Sequence, residues 1–507
     1  MSRLFIFVFF VFGFLFDGFK NELYFYIFSI FLLIYFYIAN LKISVSSAIL
    51  LPFCAFFSIF NLYSIDNEYF LFYKVFISIL FYFYFSNIKE EKYNFLNFFL
   101  KFYVYYVFLL ILVFYYSSFL NIDWYFIGKN NNYIAFFTTG AFLIKYIEWK
   151  SKRNYLDLVF CLFFLVFLLY INSRSSYVSI FISLIFLSKD KIRFFLYSIC
   201  MFLFLFLILP HDFLIYILKL NDPNSYMRPY IWFSAIKGFL KNPLFGNGID
   251  FKYIFEMYKF PYYDGVNYYN HSTIHSHNEF LNILAEYGVL YFLIYISIII
   301  EAFRFKNIYI KIMILNFTIF SFFDIVLKVP FLNLFYFSIL GLGMERNNGK
   351  FLNFRKIFII SVLFLIFSFN GFYLKETGHI KYNETIEIIT SPHRKAALSR
   401  YFLSFYPYDP FLYYNLALYY HNIERYDLAE IFLKKLITIE PNFNQALLMY
   451  SDLMIKAAKY NEAKKYLYMI KPYLCDTVYC YKTSYFDKNI YLSFKKLLDN
   501  LNKEVKD

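Results

Sequence analysis

Three of the seven histidines of this 507-residue chain lie close together, at His271, His275 and His277. An imidazole titrates near neutral pH, so one of them could act as a general base that takes a proton from a hydroxyl group. Imidazoles at short spacing also bind metal ions, and all three could simply be polar loop residues. The residue types alone leave these three interpretations open.

Two arginines could bind an anionic substrate on the same side of a membrane. Arg174 lies in the stretch NSRSSY between two apolar runs, and Arg228 precedes Trp232 in a polar insert. Ionisable residues at membrane depth are functional candidates, and a guanidinium presents a fork of donors that matches phosphate oxygens. The alternatives are an arginine that reaches up to lipid headgroups and a solvated loop arginine.

The residues after Arg228 predict an amphipathic helix that lies at the membrane surface. Its apolar stripe consists of Trp232, Ala235, Ile236, Phe239 and Leu240. Ser234, Lys237 and Lys241 are expected on the opposite face. Pro243 should end the helix, and Gly246 and Gly248 should form a tight turn.

The composition predicts an integral membrane protein. Hydrophobic residues make up 61% of the chain, with 76 Phe and 55 Tyr, and long apolar runs recur. We expect an all-α bundle of about 12–13 transmembrane helices over residues 1–373, with residues 210–280 as a large periplasmic loop. The net charge of +14 falls largely in short loops. By the positive-inside rule it indicates a cytoplasmic N-terminus and not nucleic-acid binding.

The C-terminal part, residues 380–507, predicts a periplasmic domain of tetratricopeptide-like helical repeats. Tyr426 and Tyr460 lie 34 positions apart, and so do Ala429 and Ala463. A small residue and an aromatic residue that recur at this period are typical of such repeats. The stacked helices would offer a concave surface to a protein partner.

The five cysteines do not form a disulfide framework. Cys54, Cys161 and Cys200 lie in apolar runs, where we expect buried thiols. Cys475 and Cys480 could pair if the C-terminal domain lies in an oxidising compartment.

The polar insert resembles the O-antigen ligase superfamily. His277 and Asn278 are followed by Gly288 and then Tyr291 at the spacing of the histidine motif in that family. Further similarities are the Ser-Arg-Ser stretch at Arg174, the asparagines at 130–132 and the segment Pro-Leu-Phe-Gly-Asn-Gly at 243–248. The resemblance covers about residues 120–345.

The resemblance implies a multi-pass enzyme of the bacterial inner membrane that requires neither a metal ion nor a cofactor. It would transfer a preassembled glycan from undecaprenyl diphosphate to a hydroxyl of a lipid A core sugar, in lipopolysaccharide biosynthesis. His277 would be the catalytic base, and Arg174 and Arg228 would bind the diphosphate. His275, Trp232 and Asn278 would line the substrate site, with Asn278 at a helix start and Gly288 in close helix packing.

Two other functions stay open. Relatives of the same superfamily polymerise O-antigen repeat units or transfer oligosaccharides to protein hydroxyls, and the C-terminal repeats favour such a role. A protein of another class, a transporter of lipid-linked sugars, would use the arginines only to bind phosphate.

Overall fold

The computed structural model describes an almost entirely helical chain. It covers residues 2–15, 22–39, 42–44, 68–87, 92–120, 131–208, 210, 223–248, 250–258, 262–263, 268–269, 273–343, 351–355, 391–404, 406–441, 443–470 and 488–504, with short pieces between 358 and 373.

The membrane-like part of the chain contains thirteen described helices and four short strands. The helices are α1 (Ser2–Leu15), α2 (Glu22–Ile38), α3 (Glu68–Asn87), α4 (Lys92–Leu120), α5 (Asn131–Lys152), α6 (Tyr155–Ile171), α7 (Arg174–Leu187), α8 (Lys191–Ile208), α9 (Pro223–Lys241), α10 (Phe251–Tyr258), α11 (Glu279–Phe303), α12 (Ile308–Ser321) and α13 (Pro330–Gly343). The strands are β1 (Lys42–Ser44), β2 (Tyr262–Tyr263), β3 (Tyr268–Tyr269) and β4 (Phe351–Asn353), which pair as β1–β4 and β2–β3, both antiparallel.

A large core rich in aromatic side chains holds together most of the helices described in this part of the chain. The ring centroid of Phe331, in the first turn of α13, lies 4.9 Å from that of Phe9, 5.1 Å from that of Phe14 and 5.6 Å from that of Phe137. Helix α13 packs most extensively against α3, and α12 packs against both α5 and α7. This core therefore fixes the connection between α12 and α13, which contributes side chains to the candidate site.

Several helices present apolar rows on the outside of the bundle. On α6, Tyr155, Val159, Leu162 and Val166 lie along one face and are all exposed. One described helix, Glu279–Phe303, is long and apolar enough to cross a membrane by length and composition, and nine shorter helices are apolar. Exposed apolar rows of this extent are unusual on a soluble monomer and fit a bundle surrounded by lipid.

Helix α11 is broken at Gly288, where φ is 77° and ψ is −177°. The break deprives nearby backbone groups of their helical partners, and the loop after α9, residues 243–248, supplies new ones. Three hydrogen bonds close this contact: from the N–H of Asn247 to Ala285 O (3.0 Å), from the N–H of Gly248 to Glu286 O (3.0 Å) and from the N–H of Val289 to Pro243 O (2.8 Å).

The contact is so close that two glycines are required. A Cβ atom on Gly288 would lie 2.4 Å from the Gly246 nitrogen and the Leu244 oxygen, and a Cβ on Gly246 would lie 2.4 Å from the Glu286 oxygen. Gly246 also has a positive φ of 72°. The turn expected at Gly246 is present. At Gly288 the expectation of close helix packing is wrong in its partner: α11 is interrupted there, and the glycine lies against this loop.

The C-terminal helices are α14 (Pro392–Phe402), α15 (Pro410–Asn422), α16 (Tyr426–Ile439), α17 (Asn444–Lys456), α18 (Tyr460–Ile470) and α19 (Lys488–Glu504). The pairs α15–α16 and α17–α18 pack together, and corresponding helices begin 34 residues apart. Ala429 and Ala463 are fully buried. Assignment of these pairs to the tetratricopeptide class stays a prediction, as do the domain limits 1–373 and 380–507.

The structure leaves part of the predicted topology untested. Residues 45–64, which fall in the predicted transmembrane region, lie outside the described residues, as do His271, Cys475 and Cys480. Cys54 lies in the same undescribed stretch. Cys161 is buried as expected, whereas Cys200 is exposed on the apolar helix α8. The count of 12–13 spans and the orientation in the membrane stay predictions.

We expect Gly288→Ala to destabilise the protein markedly. The ψ near 180° at positive φ is accessible essentially only to glycine, which costs about 1–3 kcal/mol for alanine before any steric overlap. Thermal unfolding of the full-length protein in detergent micelles measures the effect. Gly140→Ala is the matched control, because its new methyl group would meet the flexible Met313 side chain at 3.0 Å and would lie at ordinary contact distance, 3.7 Å, from Asn316 Nδ2. Equal melting temperatures for the two variants would contradict the importance of this contact.

Candidate functional site

The loop that carries the histidines, residues 273–278, is tied down by its own side chains. Ser276 is fully buried, and its hydroxyl donates to Asn278 O (2.6 Å). The Thr273 hydroxyl donates to His275 O (2.8 Å). Asn278 is the N-cap of α11, where its side-chain oxygen accepts from the Leu281 N–H (3.0 Å). This is the helix start expected for Asn278, and its predicted place in the substrate site stays untested.

His277 adopts a left-handed backbone conformation with φ of 52°. This conformation is unfavourable for a residue with a side chain, and it persists only where the surroundings enforce it. The fixed loop before His277 and the helix that begins directly after it enforce the conformation here. The imidazole is 40% exposed, so a substrate can reach it.

A chain of polar contacts joins His277 to the start of α7. The Nδ1 atom of His277 lies 3.8 Å from Asp324 Oδ1, an ion-pair distance when the imidazole is protonated. The second oxygen of Asp324 accepts from Asn132 Nδ2 (2.8 Å). The Ser173 hydroxyl in turn donates to Asn132 Oδ1 (3.4 Å). Because Ser173 directly precedes Arg174, the structure brings two of the predicted catalytic residues to the same end of the bundle.

Arg174 occupies the first position of α7 and is half-buried. The serines on either side of it, Ser173 and Ser175, are joined by a hydrogen bond of 2.9 Å between their hydroxyl oxygens. The position of the Arg174 backbone is therefore defined by the same polar contacts that reach His277.

Arg228 and Trp232 lie on a different helix, α9. They lie four residues apart on α9, so they share one face, and α9 packs against α10 and α11. Arg228 was expected at the start of its helix, but α9 begins at Pro223 and Arg228 lies in its second turn, before Pro229. Its connection to His277 runs through the packing of α9 on α11.

The faces of α9 differ from those expected. Ser234 was predicted to point away from the apolar side, but it is fully buried, and its hydroxyl lies within hydrogen-bonding distance of Tyr230 O (3.1 Å) and Tyr258 O (3.2 Å). Ile236 and Leu240 are exposed together with Phe233. The spacing of apolar residues predicted one apolar stripe, but α9 has two apolar faces. One packs on α10 and α11, and the other points outward.

Four charged residues near the histidines were not identified from the sequence: Asp324, Lys328, Glu279 and Glu286. Asp324 and Lys328 lie between α12 and α13 in the stretch FFDIVLKVP. The Lys328 ammonium lies 2.9 Å from Glu286 Oε1, which also accepts from the Phe251 N–H (2.9 Å). The rule for ionisable residues at membrane depth, which identified Arg174, would also have found Asp324 and Lys328.

Electrostatics distinguish the two histidines of the loop. Burial lowers the pKa of His275 to about 4, with further lowering by Lys328 and His277. For Asp324, burial raises the pKa, but His277, the Ile325 N–H and Asn132 together hold it below its usual value. At neutral pH the site therefore contains a neutral His275 and a carboxylate that faces His277.

Within the described residues no group of three or more His, Cys, Asp or Glu side chains is placed to hold a metal ion.

Residues 159–296 match the model of a protein family described as O-Antigen ligase. This segment extends from α6 into α11 and includes Arg174, Arg228, His277 and the broken helix. Members of this family are membrane-integral enzymes of glycan transfer. No curated protein and no solved structure matches the chain. The match supports the superfamily resemblance over this part of the chain.

The low pKa of His275 predicts that acid destabilises the fold. The unfolded chain takes up a proton as the pH falls through about 6.5, whereas folded His275 does so only near pH 4. The free energy of unfolding should therefore fall as the pH drops from 6.5 to 4, by at most about 3 kcal/mol from this group. Asp324, with its lowered pKa, loses its contribution only at still lower pH.

Thermal unfolding in detergent at pH 7 and pH 4.5 tests this prediction. His275→Gln should show a smaller decrease in melting temperature between the two values than the wild-type protein. His421→Gln, a change in the C-terminal region, serves as the control. A decrease in His275→Gln as large as in the wild type would show that His275 is not the titrating group.

Proposed function

We propose that the chain transfers a preassembled glycan from undecaprenyl diphosphate to a hydroxyl acceptor, a sugar of the lipid A core, on the periplasmic face of the inner membrane. The observation that carries the proposal is the contact chain from His277 through Asp324 and Asn132 to the start of α7. It gives an exposed imidazole a carboxylate partner near an arginine, inside the segment that matches the O-antigen ligase family.

The proposed reaction is a direct displacement at the anomeric carbon of the donor. The free ring nitrogen of His277, Nε2, takes the proton of the acceptor hydroxyl while that oxygen attacks the anomeric carbon. The bond between the anomeric carbon and the diphosphate oxygen breaks, and undecaprenyl diphosphate leaves. Asp324, on the Nδ1 side, stabilises the imidazolium that forms.

The arginines bind the donor in this proposal. Arg174 and Arg228 hold the diphosphate, and their charge stabilises the negative charge that develops on the leaving group. His275, neutral at physiological pH, offers a hydrogen bond to substrate without adding a charge. Trp232 shares a face of α9 with Arg228 and packs beside the donor.

One observation favours the alternative acceptor, a protein hydroxyl. The C-terminal region contacts the elements around the site: the Tyr408 ring lies 5.5 Å from that of Tyr253 on α10, and α16 packs against α10. A protein held by the C-terminal helices would thus be close to His277. The proposed function then becomes that of an O-oligosaccharyltransferase with the same chemistry.

The first test replaces each partner of the contact between His277 and Asp324. In a deletion strain complemented with the full-length protein, His277→Ala should reduce transfer by about a hundredfold or more, the usual contribution of a general base. Asp324→Asn should lower the transfer rate roughly fivefold. It removes the negative charge from a partly exposed ion pair, and such a pair contributes about 1 kcal/mol.

The C-terminal region offers a matched control pair. His421 Nε2 lies 3.4 Å from Asp452 Oδ2, so His421→Ala and Asp452→Asn alter the same chemistry away from α11 and should leave transfer unchanged. Lipopolysaccharide ladders, protein glycosylation and undecaprenyl-linked glycans are compared in each strain. Normal transfer in His277→Ala at wild-type protein level would refute the proposed enzymatic activity. It would favour the alternative, a transporter in which the arginines only bind phosphate.

A second test concerns the outward face of α9. Phe233 and Leu240 are exposed, and Leu244, which continues the row, accepts a hydrogen bond from the N–H of Leu290 on the membrane-like helix α11 (3.4 Å). We propose that this face lies in the outer surface of the bilayer, which would place Arg228 at the depth of a lipid diphosphate.

Spin labels measure this depth directly. In a variant without native cysteines, reconstituted in nanodiscs, labels at Phe233→Cys and Leu240→Cys should be accessible to oxygen and protected from a water-soluble nickel reagent. A label at the exposed Lys252 on α10 is the aqueous control. Nickel accessibility at all three positions would place α9 in water.

A further inference from the structure

Lys74 is a buried lysine in a helix that otherwise belongs to the apolar bundle. It lies on α3 and is only 4% exposed. Its ammonium donates to two main-chain oxygens of the connection between α12 and α13, Leu327 O (3.3 Å) and Lys328 O (3.4 Å). Removing an ammonium from water is unfavourable, so a lysine at this position calls for a specific explanation.

The same short connection is held from its other side by α11. The Leu327 N–H donates to Glu279 Oε2 (3.2 Å), and Lys328 pairs with Glu286. Glu279 and Glu286 lie seven residues apart, on one face of the helix. The connection between α12 and α13 is therefore held between Lys74 on α3 and the two glutamates on α11.

This connection carries Asp324, three residues before Leu327. The Asp324 side chain accepts from the Ile325 N–H (2.8 Å) and from Asn132, which fixes its direction only as long as the backbone is in place. We infer that Lys74 is a positioning residue for glycan transfer: it anchors the backbone that presents Asp324 to His277. Lys74 lies far outside residues 159–296, the segment that matches the family.

The first experiment does not depend on activity. Hydrogen exchange is measured by mass spectrometry on the full-length protein in detergent, for peptides that cover residues 322–329. Lys74→Met should increase deuterium uptake in these peptides. The control is Ser78→Ala, one turn further along α3: Ser78 is also fully buried, and its hydroxyl donates to Lys74 O (2.8 Å). Unchanged uptake in Lys74→Met would overturn the inference.

The second experiment distinguishes positioning from general stability, and it rests on the proposed function. Initial rates use the lipid-linked glycan that accumulates in the His277→Ala strain. Lys74→Met should lower kcat about fivefold, like Asp324→Asn, with an unchanged KM for the donor, because the arginines bind it. The double variant should lose no more than either single variant, since both changes remove one contact.

The outcomes distinguish the positioning role of Lys74 from the proposed transfer activity. A loss in the double variant equal to the product of the single losses would assign Lys74 a purely structural role. Full activity of Lys74→Met beside an inactive His277→Ala would overturn the inference and leave the proposed function intact. Normal transfer in His277→Ala would refute the proposed function, and the exchange measurement would still decide whether Lys74 holds the connection. If Lys74→Met does not accumulate, Lys74→Leu takes its place, because its side chain likewise has no donor for Leu327 O and Lys328 O.

Discussion

The break in α11 at Gly288 is the constraint on which the surroundings of the site depend. A helix interrupted in an apolar environment leaves backbone groups without partners, and such groups cannot be left unsatisfied where water is excluded. The loop at 243–248 satisfies them, and only glycine at both Gly246 and Gly288 lets the two backbones approach closely enough. The hydrogen bonds between this loop and the broken helix also fix the two helices beside the loop: α9 leads into it, and α10 follows it.

Charge is concentrated at the same end of the bundle. Glu279 and Glu286 on α11 meet Asp324 and Lys328 from the connection between α12 and α13 around the start of α11. Buried charges are tolerated only in partnership, so each of these groups restricts the positions of the others. The left-handed His277 lies at the edge of this arrangement, where it is still accessible. The proposed transfer chemistry rests on this polar layer beside a partly exposed imidazole.

Much of the architecture could be predicted from the sequence, because apolar runs and glycine spacing are local signals. The helical class, the N-cap at Asn278 and the turn at Gly246 follow from residue type and position. The buried and exposed faces of α9 could not be predicted, because a helix at the surface of a helical bundle can be apolar on two sides. Ser234 is buried because its hydroxyl finds hydrogen-bond partners inside the protein. The carboxylate beside His277 was missed for a different reason. Asp324 is 47 positions away in the chain, and only the packing of α12 and α13 on α3, α5 and α11 brings the two together.

The hydrogen bonds of Asp324 also show which parts of the chain build the candidate site. Asn132, which orients the carboxylate, precedes the segment that matches the family, and Asp324 itself follows it. A fragment made of residues 159–296 would therefore carry the histidine and both arginines but neither the carboxylate nor its orienting amide. Sequence changes in the flanking helices, where family similarity is not detected, are for this reason as able to alter the site as changes within the recognised segment. Under the proposed function, the segment that the family model matches therefore holds only part of the site.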